Sequence, residues 1–182
     1  MHYEPLYWIF ESEIPGGVCD QIIEQGRSMV SNPGEAGGGV RPEVRKSDVS
    51  FFEDVSWVSG ICEHYIRCAN RSSEWDLHVD YIEQPQFTIY GSGQYYDWHF
   101  DTVFQGPVQR KLSMTVQLTE PNDYEGGELM LKNSLGEDFV CEDFMPRGSV
   151  VVFPSSVWHQ VTPVTKGVRY SLVCWAAGPK LR

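Results

Sequence analysis

Before residue 77 apolar residues recur twice at helical spacing, and after it the period changes to two. "SEIPGGVCDQIIEQGRSMV" puts Val18, Ile22, Ile23 and Met29 on one stripe and predicts an amphipathic helix. "SWVSGICEHYIRCANRSSEWDL" does the same with Val58, Ile61, Cys62, Tyr65, Ile66 and Ala69, and Asn70 is placed to end it. Residues 3–10, "YEPLYWIF", alternate weakly and predict an early strand. Between the helices "SNPGEAGGGVRPEV" is rich in Gly and Pro and predicts a loop, either a mobile lid or a plain connection. "RKSDVSFFED" then predicts a strand with Phe51 and Phe52 near its end.

From residue 77 onward, "LHVDYIEQPQFTIYGSGQYYDWHFD" predicts two or three strands, turning at Glu83-Gln84-Pro85 and Gly91-Ser92-Gly93. In "RKLSMTVQLTE", Leu112, Met114, Val116 and Leu118 share one face, and Ser113, Thr115 and Gln117 the other. "PNDYEGGELMLKN" reads as a turn into a strand, and "GEDFVCEDFMPRGSVVVFPSSVWHQV" as two more strands. "GVRYSLVCWAAGP" is the last, with Arg169, Ser171, Val173 and Trp175 on a common face. Two helices followed by many short strands predict a mainly β fold, a sandwich or barrel with supporting helices outside. No repeat or linker divides the chain, so residues 1–182 read as one domain whose β core begins at about residue 77.

Composition narrows the function without choosing it. The chain is long enough for a sizeable core, and 41% hydrophobic residues mark it as globular. A net charge of -11 argues against nucleic-acid binding, which needs clustered Lys and Arg. It suits a small-molecule site, a basic peptide partner or simply a well-solvated surface. Cys19, Cys62, Cys68, Cys141 and Cys174 form no CxxC pair and are odd in number, which predicts reduced thiols in a cytoplasmic setting. The first residues lack a basic segment followed by a long apolar run, and no apolar run is long enough to span a membrane.

The candidate chemistry sits in "YYDWHFD", residues 95–101. In a β-prone run His99 and Asp101 point the same way. A second histidine, His159, stands far downstream in "VVFPSSVWHQVTPV". Alone, a His-x-Asp pair arises often by chance, and His has many roles besides ligation. Two His and one carboxylate together match the facial triad of non-haem Fe(II) oxygenases, which leaves coordination positions open. Imidazole and carboxylate without thiolate suit Fe(II), Mn or Zn. A structural zinc site would fill four positions, and no fourth ligand recurs nearby. Zinc hydrolysis would want a general base near the metal, and none is evident.

Arg169 lies on the strand after His159 and shares the parity of Trp175. Facing inward, it would need a carboxylate partner, and a dicarboxylate bound to the metal at its other end would supply one. The plain alternative is an Arg that snorkels to the surface. Trp98, Phe100, Phe104 and Trp158 either keep the site dry or pack the core.

These residues, with "QFTIYGSGQYYDWHFD", "RKLSMTVQL", "YEGGELML" and "GSVVVFPSSVWHQVTPVTKGVRYSLVCW", carry a resemblance. From about residue 10 to residue 179 the chain resembles the Fe(II)- and 2-oxoglutarate-dependent dioxygenases of the prolyl 4-hydroxylase-like branch. The resemblance implies a double-stranded β-helix, the jelly-roll or cupin-like fold. It implies Fe(II) on His99, Asp101 and His159, with the distal carboxylate of 2-oxoglutarate on Arg169. It also implies that Tyr90 bonds the cosubstrate near the metal and that Trp175 lines the pocket behind it. Gln117 falls where some relatives place a Tyr that reaches the distal carboxylate. Arg110, Trp98 and Trp175 are candidates for substrate contact, a solvated Arg being the alternative for the first. Gly126-Gly127 marks a tight turn with no room for a side chain. The implied reaction consumes O2 and 2-oxoglutarate, yields succinate and CO2, and hydroxylates an unactivated C–H, with ascorbate as an optional reductant. The substrate expected is a prolyl residue in a peptide or protein, and the alternatives are a free amino acid or other small molecule. A β-barrel that binds ligand without turnover is the non-enzyme alternative. No nucleic-acid or membrane partner is expected. A peptide substrate would need a groove bordered by mobile loops, for which residues 31–42 and 102–109 are the candidates.

Overall fold

Both predicted helices form on their apolar stripes. Helix α1 (Gly16–Ser28) begins directly after Pro15 and buries Cys19, Ile22 and Gly26. A Cβ on Gly26 would sit 2.5 Å from Cγ of Phe87, so this glycine lets the helix lie against the sheet. Helix α2 (Trp57–Ser72) is capped by Ser56, whose hydroxyl accepts from the Ser59 N–H, and buries Val58, Cys62, Ile66 and Ala69. It continues past Asn70 to Ser72. The Asn70 side chain instead donates to the Leu77 carbonyl and accepts from the Leu77 N–H, tying down the chain that leaves the helix.

The computed structural model describes residues 5–53, 56–102 and 108–180. The strands in order are β1 (Trp8–Phe10), β2 (Asn32–Pro33), β3 (Arg45–Lys46), β4 (Asp48–Phe51), β5 (Tyr81–Ile82), β6 (Gln86–Tyr90) and β7 (Tyr95–His99). They continue as β8 (Val108–Gln117), β9 (Tyr124–Gly126), β10 (Leu129–Lys132), β11 (Asp138–Val140), β12 (Val150–Pro154), β13 (His159–Val161), β14 (Val164–Gly167) and β15 (Arg169–Pro179). An eight-stranded sheet runs β1-β12-β8-β15-β6-β4-β2, with β5 paired to β15. A five-stranded sheet runs β11-β10-β13-β7-β3, and β14 pairs with β9. All the pairings are antiparallel, the jelly-roll arrangement expected.

Alternation along the two long strands creates the site. Leu112, Met114, Val116 and Leu118 of the β8 segment face the helices, with Leu172, Cys174 and Ala176 of β15 in the same core. The opposite faces carry Ser113, Thr115 and Gln117, and Arg169, Ser171 and Trp175, all buried. A second apolar cluster, with Leu129, Leu131, Phe144, Val151 and Phe153, closes one side of the space between the sheets. A row of polar groups therefore lines a buried interlayer.

Three local expectations change. The segment read as two strands holds β11, β12 and β13, because a 3-10 turn at Glu142–Phe144 separates the first from the second. β14, "VTKG", has no apolar alternation to announce it and forms by pairing with β9. β2 lies inside the Gly- and Pro-rich segment. It pairs with β4 at the end of the sheet, an edge position where Pro33 needs no N–H. Among the described residues no helix is long and apolar enough to cross a membrane.

Candidate active site

His99 and His159 are direct register partners on β7 and β13. The register then shifts, so that Val161 faces Tyr96 and β7 carries one more residue than β13 between the two pairs. This bulge breaks simple alternation and turns Tyr96 to the same side as His99. The two rings stack with centroids 3.5 Å apart and planes 12° from parallel. The imidazoles of His99 and His159 lie 4.1 Å apart, and Phe153 packs edge-on against His159. Asp101 follows the strand and is held by its own N–H, which donates to the Ser155 carbonyl at 2.8 Å.

Ring nitrogens that face a carbonyl must donate, and this fixes both tautomers. Nδ1 of His99 donates to the Asp97 carbonyl at 2.7 Å, and Nδ1 of His159 to the Val157 carbonyl at 2.9 Å. Each Nε2 is left to face Asp101, at 3.8 Å from Oδ1 for His99 and 3.5 Å from Oδ2 for His159. Ligand atoms of the three residues all lie within 4.8 Å of one another. Burial, aided by the neighbouring His159, lowers the His99 pKa to about 3. Burial pushes the Asp101 carboxyl up, but the two histidines, Ser113 and Trp175 outweigh it and bring it down to about 2. A neutral imidazole beside an ionised carboxylate is the form that ligates a metal.

Asp101 is also aimed from behind. Ser113 donates to its Oδ2 at 2.7 Å and meets the Ser155 hydroxyl at 3.0 Å. The indole N–H of Trp175 is buried without a hydrogen bond of ordinary geometry, yet it lies near enough to Asp101 to favour the ionised form. The donor set of two imidazole nitrogens and a carboxylate fits Fe(II), Mn(II) or Zn(II).

Tyr90 and Arg169 are partners in the β6–β15 register. Arg169 is only 2% exposed, so it does not snorkel to the surface. Its Nε donates to Oε1 of Gln117 at 3.1 Å, and its Nη1 has no partner. Its Cζ lies 5.7 Å from the Tyr90 ring and 5.8 Å from that of Phe144. An unpaired buried guanidinium nitrogen fits an anionic ligand. Burial raises the Tyr90 pKa against the pull of Arg45 and Arg169, so its phenol stays protonated as a donor. Gln117 holds Arg169 through its amide oxygen and spends its amide protons on the Thr119 carbonyl and the Tyr124 hydroxyl. Gly127 is as tight as its sequence implies: a Cβ would sit 2.8 Å from Val164 Cγ2 and 3.1 Å from Arg169 Cδ.

The weaker substrate candidates separate. Arg110 forks onto Glu83 at 2.8 and 2.6 Å and lies 3.8 Å over the Trp175 ring, so it is not a free solvated arginine. Trp98 packs under Lys132 Nζ at 4.0 Å, on the face of its sheet away from His99. Phe100 packs edge-on against the partly exposed Trp158 beside the triad. Phe104, and residues 103–107 of the second candidate loop, lie outside the described residues.

Sequence reasoning missed Arg45, Tyr96 and Tyr124. Arg45 is 7% exposed, bonds Ser47 Oγ and the Glu35 carbonyl, and lies 4.5 Å over the Tyr96 ring. It pins residues 31–42 against the wall of the site, the segment that read as either lid or connection. A cation at the start of a two-residue strand leaves no periodic signal. Tyr96 would have been assigned to the opposite face without the bulge.

The sequence profile of the 2OG-Fe(II) oxygenase superfamily matches residues 85–177. A PKHD-type hydroxylase of Alteromonas mediterranea is 40% identical over 100 residues, covering 52% of this chain and 43% of that protein. The match thus spans less than half the length of that relative. By structure, a Pseudomonas putida prolyl-4-hydroxylase superposes with TM-score 0.72 at 23% identity, covering 94% of this chain and 91% of that one. A Trichoplax adhaerens prolyl hydroxylase superposes with TM-score 0.72 at 16% identity, covering 94% and 83%. At these identities the likeness establishes the fold. With the profile spanning half the chain and both sheets of the site, the chain belongs to the 2OG-Fe(II) oxygenase superfamily.

Proposed function

We propose that the chain is an Fe(II)- and 2-oxoglutarate-dependent dioxygenase that hydroxylates an unactivated C–H. Fe(II) is held by His99, Asp101 and His159, and the distal carboxylate of 2-oxoglutarate by Arg169. One observation carries this reading: a buried guanidinium with an unpartnered Nη1 shares the interlayer with a largely enclosed triad whose two Nε2 atoms converge on the Asp101 carboxylate. Bound iron supplies the activation of O2, coupled to decarboxylation of 2-oxoglutarate to succinate and CO2. The protein's own part is positioning. The Asp97 and Val157 carbonyls orient the imidazoles, Ser113 and Trp175 orient Asp101, and Tyr90 offers a proton towards the cosubstrate. Ascorbate is an optional external reductant in this scheme.

The substrate we propose is a prolyl residue in a peptide or protein. Support comes from the prolyl hydroxylases among the structural neighbours, one of them in complex with a peptide fragment. Trp158, 43% exposed and packed on Phe100, is a flat apolar surface one residue from His159 in the chain, suited to a peptide contact. All five cysteines are free thiols, which supports a reducing, cytoplasmic setting. The test is to incubate iron-loaded protein with 2-oxoglutarate, air and proline-containing peptides, with free amino acids in parallel. Mass spectrometry reads one added oxygen, and succinate is assayed alongside. Oxygen on proline matched by succinate supports the proposal. Oxygen on a free amino acid alone overturns the peptide assignment. Bound 2-oxoglutarate without succinate, whatever the substrate, makes the protein a binding module.

A further inference from the structure

The Gln117 amide is fully committed, and its commitments expose two donors that have nowhere to go. Gln117 is 1% exposed. Its Nε2 donates to the Thr119 carbonyl at 3.0 Å, and a carbonyl can only accept. That contact fixes which end of the amide is nitrogen. Nε2 therefore also donates to the Tyr124 hydroxyl at 2.7 Å, and Oε1 accepts from Arg169 Nε at 3.1 Å. The Tyr124 oxygen is an acceptor in this contact, so its own proton points elsewhere. Among the described residues no protein acceptor meets that proton, and none meets Nη1 of Arg169. Tyr124 is 6% exposed.

The two side chains are neighbours by a second, independent measure. A Cβ on Gly127 would lie 3.1 Å from Arg169 Cδ and 3.5 Å from Tyr124 Cε2, so one glycine abuts both. Tyr124 is also rigidly placed. It opens β9 opposite Gly167 of β14, where a Cβ would come within 3.0 Å of the Tyr124 Cα. Two donors clamped to one amide suit a ligand with two oxygens, which is a carboxylate.

We propose that Tyr124 is the second anchor of the distal carboxylate of 2-oxoglutarate. Its hydroxyl donates to one carboxylate oxygen while Arg169 Nη1 donates to the other, and Gln117 sets both. This rests on the cosubstrate proposed above and adds to it a residue outside the strands that carry the triad and Arg169. Tyr124 is a binding residue, remote from the reacting C–H.

The experiment is calorimetric binding to the Mn(II)-loaded full chain, wild type and Tyr124→Phe. It compares 2-oxoglutarate with 2-oxobutyrate, which lacks the distal carboxylate. A hydrogen bond to a charged group makes the expected loss for 2-oxoglutarate about tenfold to a hundredfold. Affinity for 2-oxobutyrate is expected to be unchanged. Unchanged affinity for 2-oxoglutarate overturns the inference, and so does an equal loss for both acids, which marks a structural role. Failure of the wild type to bind 2-oxoglutarate strikes the cosubstrate reading itself, and this inference with it. A crystal structure of the wild type with Mn(II) and 2-oxoglutarate decides the matter even where the variant does not fold. The Tyr124 hydroxyl is expected about 2.5–3.0 Å from a carboxylate oxygen, and a hydroxyl bonded elsewhere overturns the assignment.

Discussion

The Ser113 hydroxyl donates to Oδ2 of Asp101 across 2.7 Å, from the strand that forms the floor of the site. It sets the direction of a metal-ligand candidate without being a ligand. Partners of this kind are worth about tenfold to a hundredfold in metal affinity. Ser113→Ala is therefore expected to weaken Mn(II) binding by about that factor while the fold is kept. Competition against a chelator, with circular dichroism as the control, checks it. Unchanged affinity would show that Trp175 and the backbone suffice to aim Asp101.

Gly127 has a φ of +68° and stands where a Cβ meets Arg169. Gly127→Ala combines a left-handed backbone cost of about 1–2 kcal/mol with displacement of the guanidinium. A fall in melting temperature of about 3–6 °C is expected for a chain of this size. Binding of 2-oxoglutarate should weaken by more than that destabilisation accounts for. Lost stability with intact binding would place the strain elsewhere.

Arg45 joins the Glu35 carbonyl, Ser47 and the Tyr96 ring, which itself stacks on His99. Arg45→Met keeps the stem and removes the donors, leaving buried acceptors unmet at a cost of about 2–3 kcal/mol. Residues 31–42 should then be cut faster in limited proteolysis, at protease concentrations that leave the wild type whole. Equal rates of cleavage would mean that the segment is held by its other contacts, such as the Gly34 N–H to the Ser47 carbonyl.

Arg110 and Glu83 form a two-pronged ion pair over Trp175. Arg110→Lys replaces a planar fork with a point charge and should lose most of the coupling. A double-mutant cycle with Glu83→Gln is expected to give an interaction of about 1–2 kcal/mol by chemical denaturation. Coupling near zero would free Arg110 for the substrate contact that its position first suggested.

Much of this site was readable from periodicity, because the strands that build it alternate cleanly. Leu112 to Leu118 and Arg169 to Trp175 announced which residues share a face, whereas the burial of the polar faces emerges only when the two sheets enclose them. His99, Asp101 and His159 were legible as residue types, and their convergence is a matter of register between strands far apart in sequence. Three things were not legible. The bulge that turns Tyr96 onto His99 depends on the partner strand. Arg45 lies on a strand too short to show a pattern. The Gln117–Tyr124 bond joins β8 to the first residue of β9, a three-residue strand too short to show a pattern. Asn70 failed as a helix stop because its side chain bonds Leu77 beyond the end of the helix.

The most direct test of the central claim is succinate formation from 2-oxoglutarate by protein loaded with Fe(II) without air and then exposed to it. His99→Ala and Arg169→Met run alongside, with metal and 2-oxoglutarate binding measured on each. The account expects slow turnover without a substrate in the wild type. It expects loss of metal binding in the first variant, and loss of 2-oxoglutarate binding with metal binding kept in the second. A wild type that binds no 2-oxoglutarate in the presence of Fe(II), or variants that behave like it, would contradict the account.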